Sequence, residues 1–565
     1  MKTDRRSFLS VAAGALAGGG CAVGGDQSSL ESHGENPPGE RFAVSTDAQI
    51  VPIQGGRVQG YVRGGIHIYK GVPYGGTTGG SFRFLPAGPV SPWEGVRRAM
   101  TYGPVCPAGE PPPVDLSANE WPFLLPNGPV TSAMEDCLRI NIWSPAPDPE
   151  ARLPVMLWLH ADGFGGGSSQ DFLSTDGEAL ARQENVVVAS INHRVGPLGF
   201  TNLASVDETL ADSGNVGMLD VVTALNWVQQ HIAGFGGDPG NVTVFGQSGG
   251  GFKISVLLAM PAARGLFHRA IIQSGARIRV HDETTSAALG DALVSSLKLK
   301  KDADPLAALQ SLSLEAFFEA AQAASAQIQA AGEKPKRWQS PPWWYEPTAG
   351  LPSLPVQPFD PQAPQVSAQV PVICGSTLNE LPPSMNAPEV EDITWDDLQA
   401  RLAPQLADQT EAAISAARAI DVRWTPADVL SVFSSRRFRV PAVTLADRLA
   451  ERPGASVWQY LFSWQTPLYD GRPRAFHTSD VAFVFANTDL VDSQTGGGDR
   501  PRRLAKTVSR AWANFARTGN PNGPGVPYWP AYIGADRNTM IFDDESAARP
   551  APDVDLLDIF RQLDS

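Results

Sequence analysis

The pattern of hydrophobic and polar positions changes character along the chain. Residues 57–62, 66–69 and 138–143 are short segments rich in β-branched and aromatic side chains, and they predict a β-rich first part. Residues 154–160 and 186–192 are continuous apolar runs, the mark of parallel strands buried on both faces. Helical periodicity follows at 220–232, then a strand at 242–245, an apolar helix at 252–260 and a strand at 270–273. Beyond them, 285–331 and 395–419 are helical, 338–364 is a proline- and aromatic-rich irregular stretch, and 370–375 and 457–462 are strands. A helix over 502–518 stops at Gly519. Strands that alternate with helices in this way predict an α/β fold: a large, mostly parallel central sheet with helices on both faces. The helical 285–340 and 395–450 regions read as insertions forming a pocket cap. No repeat and no second domain is visible, so 48–565 is expected to form one domain.

Composition changes this picture little. The chain has 565 residues, 42% of them hydrophobic, enough for a sizeable core. Its 44 basic and 59 acidic residues leave a net charge of −15 without long like-charge runs, which argues against nucleic acid or an anionic membrane as partner. The first 47 residues stand apart. Arg5-Arg6-Ser7-Phe8-Leu9 precedes a short Ala/Gly-rich apolar stretch, the pattern of a twin-arginine export signal followed by a polar tether. The apolar run is too short to span a membrane. Cys21 is a candidate lipid-attachment site, although Gly18 stands where a lipobox wants an aliphatic residue. No Cys/His cluster has metal-ligand spacing, and no cofactor motif is present.

The candidate chemistry lies at Gly246-Gln247-Ser248-Gly249-Gly250, a G-x-S-x-G between a predicted strand and a predicted helix. A sharp turn there lifts the Ser248 hydroxyl out of the backbone, and the helix N-terminus behind it offers N–H groups to a developing negative charge. The partners follow by elimination. In the order nucleophile, acid, histidine, only His268, His281 and His477 come after Ser248, and the first two leave too little chain for the acid. His477 is the expected general base. Glu380, in the loop after the 370–375 strand, is the expected acid; Asp360 and Asp392 are weaker alternatives because neither lies just past a strand. The backbone N–H group of Gly249, with donors from the turn His160-Ala161-Asp162-Gly163-Phe164-Gly165-Gly166-Gly167 after the 154–159 strand, is the expected oxyanion hole, and the family pattern described below points to Asp162 and Gly163. Trp338, Trp343, Trp344 and Tyr345 are candidates for a pocket wall. Cys106 and Cys137 enclose a proline-rich stretch, a plausible disulfide in an exported protein, and Cys374 reads as a buried free thiol.

From about residue 48 onward the chain resembles the type-B carboxylesterase (cholinesterase-like) family of α/β-hydrolases, particularly its bacterial members. The resemblance rests on Lys70-Gly71-Val72-Pro73-Tyr74, Arg83-Phe84, Glu135-Asp136-Cys137-Leu138, Asn192-His193-Arg194 and Gly236-Gly237-Asp238-Pro239-Gly240-Asn241. It implies the α/β-hydrolase fold, cleavage of a small-molecule carboxylic ester through an acyl-enzyme, a Ser248–His477–Glu380 triad and a Cys106–Cys137 disulfide. Two departures stand out. Gln247 replaces the usual glutamate before the nucleophile, which weakens the case for a cationic substrate. Ala161-Asp162-Gly163 replaces a three-glycine run, and Asp162 favours a rival reading as a weakly active or silent binding protein.

Overall fold

The computed structural model describes residues 43–109, 126–533 and 536–563. The twin-arginine segment and Cys21 lie outside the described residues. Twelve strands form one twisted sheet. In chain order they are β1 (Val44–Ser45), β2 (Tyr61–Arg63), β3 (Ile66–Pro73), β4 (Arg139–Ser144), β5 (Leu153–Leu159), β6 (Val187–Asn192), β7 (Gly237–Gln247), β8 (Arg269–Gln273), β9 (Val372–Thr377), β10 (Val457–Phe462), β11 (Asn538–Phe542) and β12 (Ala547–Pro550). Their spatial order is β1-β2-β3-β4-β6-β5-β7-β8-β9-β10-β11-β12. The seven strands from β6 to β11 are mutually parallel, and antiparallel strands close both edges.

The apolar runs behave as their composition requires. Along β5, Val155, Leu157 and Leu159 join the core on one face of the sheet, while Met156 and Trp158 join the core on the other. Helices α1 (Val216–His231) and α2 (Gly249–Leu257) cover the first face. The long amphipathic helix over Asp499–Thr518 covers the second with Leu504, Val508, Trp512 and Phe515. Chain order reverses between β5, whose chain proceeds to β6 on one side, and β7 on the other. Ligands of open α/β sheets bind at such a switch point, outside the carboxyl ends of the strands. Both the turn after β5 and the G-x-S-x-G turn sit at that point.

Some elements depart from the sequence pattern. The helix expected over 395–419 is two, Trp395–Leu406 and Thr410–Ile420. Pro404 removes a backbone donor near the end of the first, and Ala407 takes a left-handed φ of 49° that turns the chain. The helix over Arg436–Ala450 lies on the sheet: Ala442, Leu445 and Ala446 pack in the same core as Val372 and Val457. Tyr345 donates to Ala321 O (3.3 Å) and packs on the helix Leu314–Ala330, while Trp344 is exposed.

The expected Cys106–Cys137 disulfide is not formed; both residues are buried free thiols, as is Cys374. The Cys106 and Cys137 thiols are hydrogen-bond partners. That bond and burial hold the Cys137 thiol well above the usual thiol pKa.

Several residues of the recognised motifs hold the scaffold. Arg83 pairs bidentately with Glu135 at 2.6 and 2.9 Å. Arg194, fully buried, grips Asp220 of α1 through Nε (2.8 Å) and Nη2 (2.7 Å). Arg194→Ala leaves Asp220 uncompensated in the core and should cost about 3–5 kcal/mol, read as a lowered denaturation midpoint; an unchanged midpoint would refute this role.

Candidate active site

The G-x-S-x-G turn is built by close backbone approach. Ser248 follows β7 directly at φ 54°, ψ −120°, a conformation L-residues rarely hold, and α2 begins at the next residue. Its N–H donates to Gln273 O on β8 at 2.8 Å. A Cβ on Gly250 would fall 2.0 Å from Leu159 O at the end of β5, so the elbow can sit against that strand only with glycine there. Ser248 is half-buried, with the free N–H groups of the α2 first turn behind it.

Glu380 and His477 meet as a hydrogen-bonded pair. Glu380 is fully buried; its Oε1 accepts from Thr377 N at 3.0 Å and its Oε2 contacts His477 Nδ1. The two loops are stitched together by Asn379, whose N–H donates to Ala475 O (3.3 Å) and whose Oδ1 accepts from Ala475 N (3.4 Å). Gln247 ties the elbow to the histidine loop, since its Nε2 donates to His477 O at 2.5 Å. A carboxylate at this position has no proton to donate to that carbonyl. Phe438 lies against the imidazole with ring centroids 4.5 Å apart. The alternatives to Glu380 are engaged elsewhere: Asp360 pairs with Arg279 and Arg448, and Asp392 is exposed in a 3-10 turn.

The turn after β5 approaches the elbow. Asp162 and Gly163 both have left-handed φ, 68° and 59°. A Cβ on Gly249 would fall 2.3 Å from Gly163 N, so the Gly163 amide lies against the start of α2. This brings together two of the three expected donors. The Asp162 carboxylate points at Gly166, where a Cβ would fall 2.4 Å from its Oδ2, and the residue is exposed. Water therefore screens its charge. His160, which opens the turn, stacks on His193 at 4.7 Å. Burial, followed by the Lys253 charge, holds His160 well below its usual pKa and His193 down to about 3, so both rings are neutral.

Three neighbours escaped the sequence pattern. Phe438 stands on a helix whose register was not read. Lys253, on α2, donates to the carbonyls of the turn after β5; a lysine inside an otherwise apolar helix is the available signal. Asp480, three residues after His477, is fully buried and accepts from Tyr460 Oη (2.7 Å) and Gln273 Nε2 (3.0 Å). Burial pushes its carboxyl up to about 6. The folded state thus binds the Asp480 proton more tightly than the unfolded state, and its contribution to stability falls as pH rises from about 4 through 6. Asp480→Asn has no such dependence. Its stability relative to wild type should rise by roughly 1 kcal/mol between about pH 5 and pH 7. Parallel melts across that window check this; a pH-independent difference would refute it.

Among the described residues no three His, Cys, Asp or Glu side chains come together to hold a metal, and no helix is long and apolar enough to cross a membrane. Comparison with known proteins places this geometry in context. Residues 47–553 match the model of the carboxylesterase family. The para-nitrobenzyl esterase of Bacillus subtilis (strain 168) is 35% identical over 516 residues, 89% of this chain and 97% of that protein. The phenmedipham hydrolase of Pseudarthrobacter oxydans is 31% identical, over 88% of this chain and 96% of that one. Among solved structures, an esterase of anaerobic Clostridium hathewayi that can hydrolyze aliphatic aromatic polyesters superposes with a TM-score of 0.79 at 31% identity, covering 93% of this chain and 99% of that one.

Proposed function

The chain belongs to the carboxylesterase family of serine ester hydrolases, with the α/β-hydrolase fold, and from that premise we propose that it cleaves small-molecule carboxylic esters through an acyl-enzyme on Ser248. The observation that carries this reading is the Glu380–His477 pair held beside the Ser248 elbow by Gln247. The Glu380 carboxylate keeps the proton on His477 Nδ1, leaving Nε2 free to accept the Ser248 proton. Ser248 Oγ attacks the ester carbonyl, and the N–H groups of Asp162, Gly163 and Gly249 receive the oxyanion. His477 then returns the proton to the leaving alcohol, and water repeats the sequence to release the acid.

Small to medium uncharged esters fit best. Gln247 supplies no negative charge for a cationic alcohol, and Phe438 presents an aromatic wall beside His477. The names of the relatives extend this range to nitrobenzyl esters and to polyesters with aromatic units. The rival reading as a silent binding protein rested on Asp162. With that carboxylate turned to Gly166 and solvent, no observation favours the rival. The N-terminal 47 residues are proposed as a twin-arginine export signal and tether, with Cys21 as a lipid-attachment site.

The test is hydrolysis of p-nitrophenyl butyrate by the chain from residue 43 onward. Saturable turnover is expected; a folded protein inert to every aryl and alkyl ester tried would overturn the reading.

A further inference from the structure

Lys253 is a fully buried lysine on the second turn of α2, the helix that follows Ser248. Its Nζ donates to His160 O at 2.9 Å and to Ala161 O at 3.4 Å, two successive carbonyls of the turn after β5. In a trans peptide the N–H points opposite to the C=O. An ammonium on Ala161 O therefore turns the N–H of the same peptide unit, that of Asp162, away from Lys253 Nζ. Gly163 follows directly and packs on Gly249. Burying an ammonium is costly, and here two carbonyls and two carboxylates compensate it.

We propose that Lys253 is a positioning residue for the oxyanion turn, clamping the His160 and Ala161 carbonyls so that the Asp162 and Gly163 N–H groups stand ready for the developing oxyanion. This rests on the ester-hydrolase reading above. Asp162, exposed and turned to Gly166, acts with Asp171 on the buried Lys253 charge. The titratable groups that face Lys253 are Asp162, Asp171 and the neutral rings of His160 and His193. Asp171 is fixed by Ser168 N at 2.6 Å. Burial lowers Lys253 to about 7, against the pull of Asp162 and Asp171. As pH rises through this value the clamp keeps its N–H donors but loses its charge.

The experiment compares wild type, Lys253→Met and Lys253→Gln with p-nitrophenyl butyrate and with an aryl trifluoromethyl ketone. Ser248 Oγ adds to the ketone carbon, the serine proton passes to His477, and the ketone oxygen remains as an alkoxide in the oxyanion hole. Lys253→Met, folded by circular dichroism, should lose about 10- to 100-fold in kcat with KM nearly unchanged. Its ketone inhibition constant should rise by a similar factor. Lys253→Gln keeps an uncharged donor and should recover part of both. Wild-type affinity for the ketone should weaken above about pH 7 more steeply than that of Lys253→Gln.

A folded Lys253→Met with kcat and ketone inhibition within about twofold of wild type would overturn the proposal. So would the collapse of both variants, which would assign Lys253 to stability alone. A wild type that neither turns over the ester nor binds the ketone would instead sink the ester-hydrolase reading.

Discussion

Ser248→Ala should lower kcat for p-nitrophenyl butyrate by roughly 10⁵–10⁶-fold while leaving the fold intact. The expectation follows from position. Ser248 is held at φ 54° by its bond to Gln273 O and by the close approach of Gly250 to Leu159 O. Alanine keeps the Cβ that this backbone already accommodates, so no new strain is introduced. Only the hydroxyl is lost, and no other nucleophile replaces it at the head of α2. Activity and circular dichroism measured on one preparation check this. A folded variant retaining more than about a thousandth of wild-type activity would remove Ser248 from the mechanism.

The second large effect is Glu380→Gln, which should lower kcat by about 10⁴-fold. The two carboxylate oxygens of Glu380 serve different donors, Thr377 N–H and His477 Nδ1. A glutamine has one oxygen for both. Thr377 N–H can only donate, so the amide oxygen stays with it and the NH₂ faces His477. The imidazole must then carry its proton on Nε2, where it cannot accept one from Ser248. Burial makes the arrangement strict, because no water can substitute for the missing acceptor. Steady-state kinetics on the folded variant decides; a loss under about tenfold would mean that Glu380 does not orient His477.

Much of this site is legible in the sequence because each part is written in local chemistry. The G-x-S-x-G turn needs its glycines where backbone meets backbone, and Gly250 against Leu159 is that requirement realised. The loop positions of Glu380 and His477 follow from the parallel strands before them, whose buried runs are continuous and easily read. The sheet is legible for the same reason, while Asn538–Phe542 and Ala547–Pro550 are short, lie at or next to the sheet edge and carry little periodicity.

Contacts between distant segments were not legible. Gln247 read as the loss of a carboxylate, and its bond to His477 O spans 230 residues. Lys253 carries no local sign of its role because its partners belong to a turn about ninety residues earlier. Spacing brought Cys106 and Cys137 together, yet the bond itself is absent. Asp162 favours a silent protein in the sequence, and only its orientation toward Gly166 and solvent removes that support.

The most direct measurement of the central claim is stoichiometric labelling with an aryl phosphonate, followed by peptide mass spectrometry. One phosphonyl group per chain, on Ser248, with ester hydrolysis lost in proportion to labelling, is the expected result. Full ester hydrolysis with Ser248 unlabelled, or label on another residue, would contradict the account.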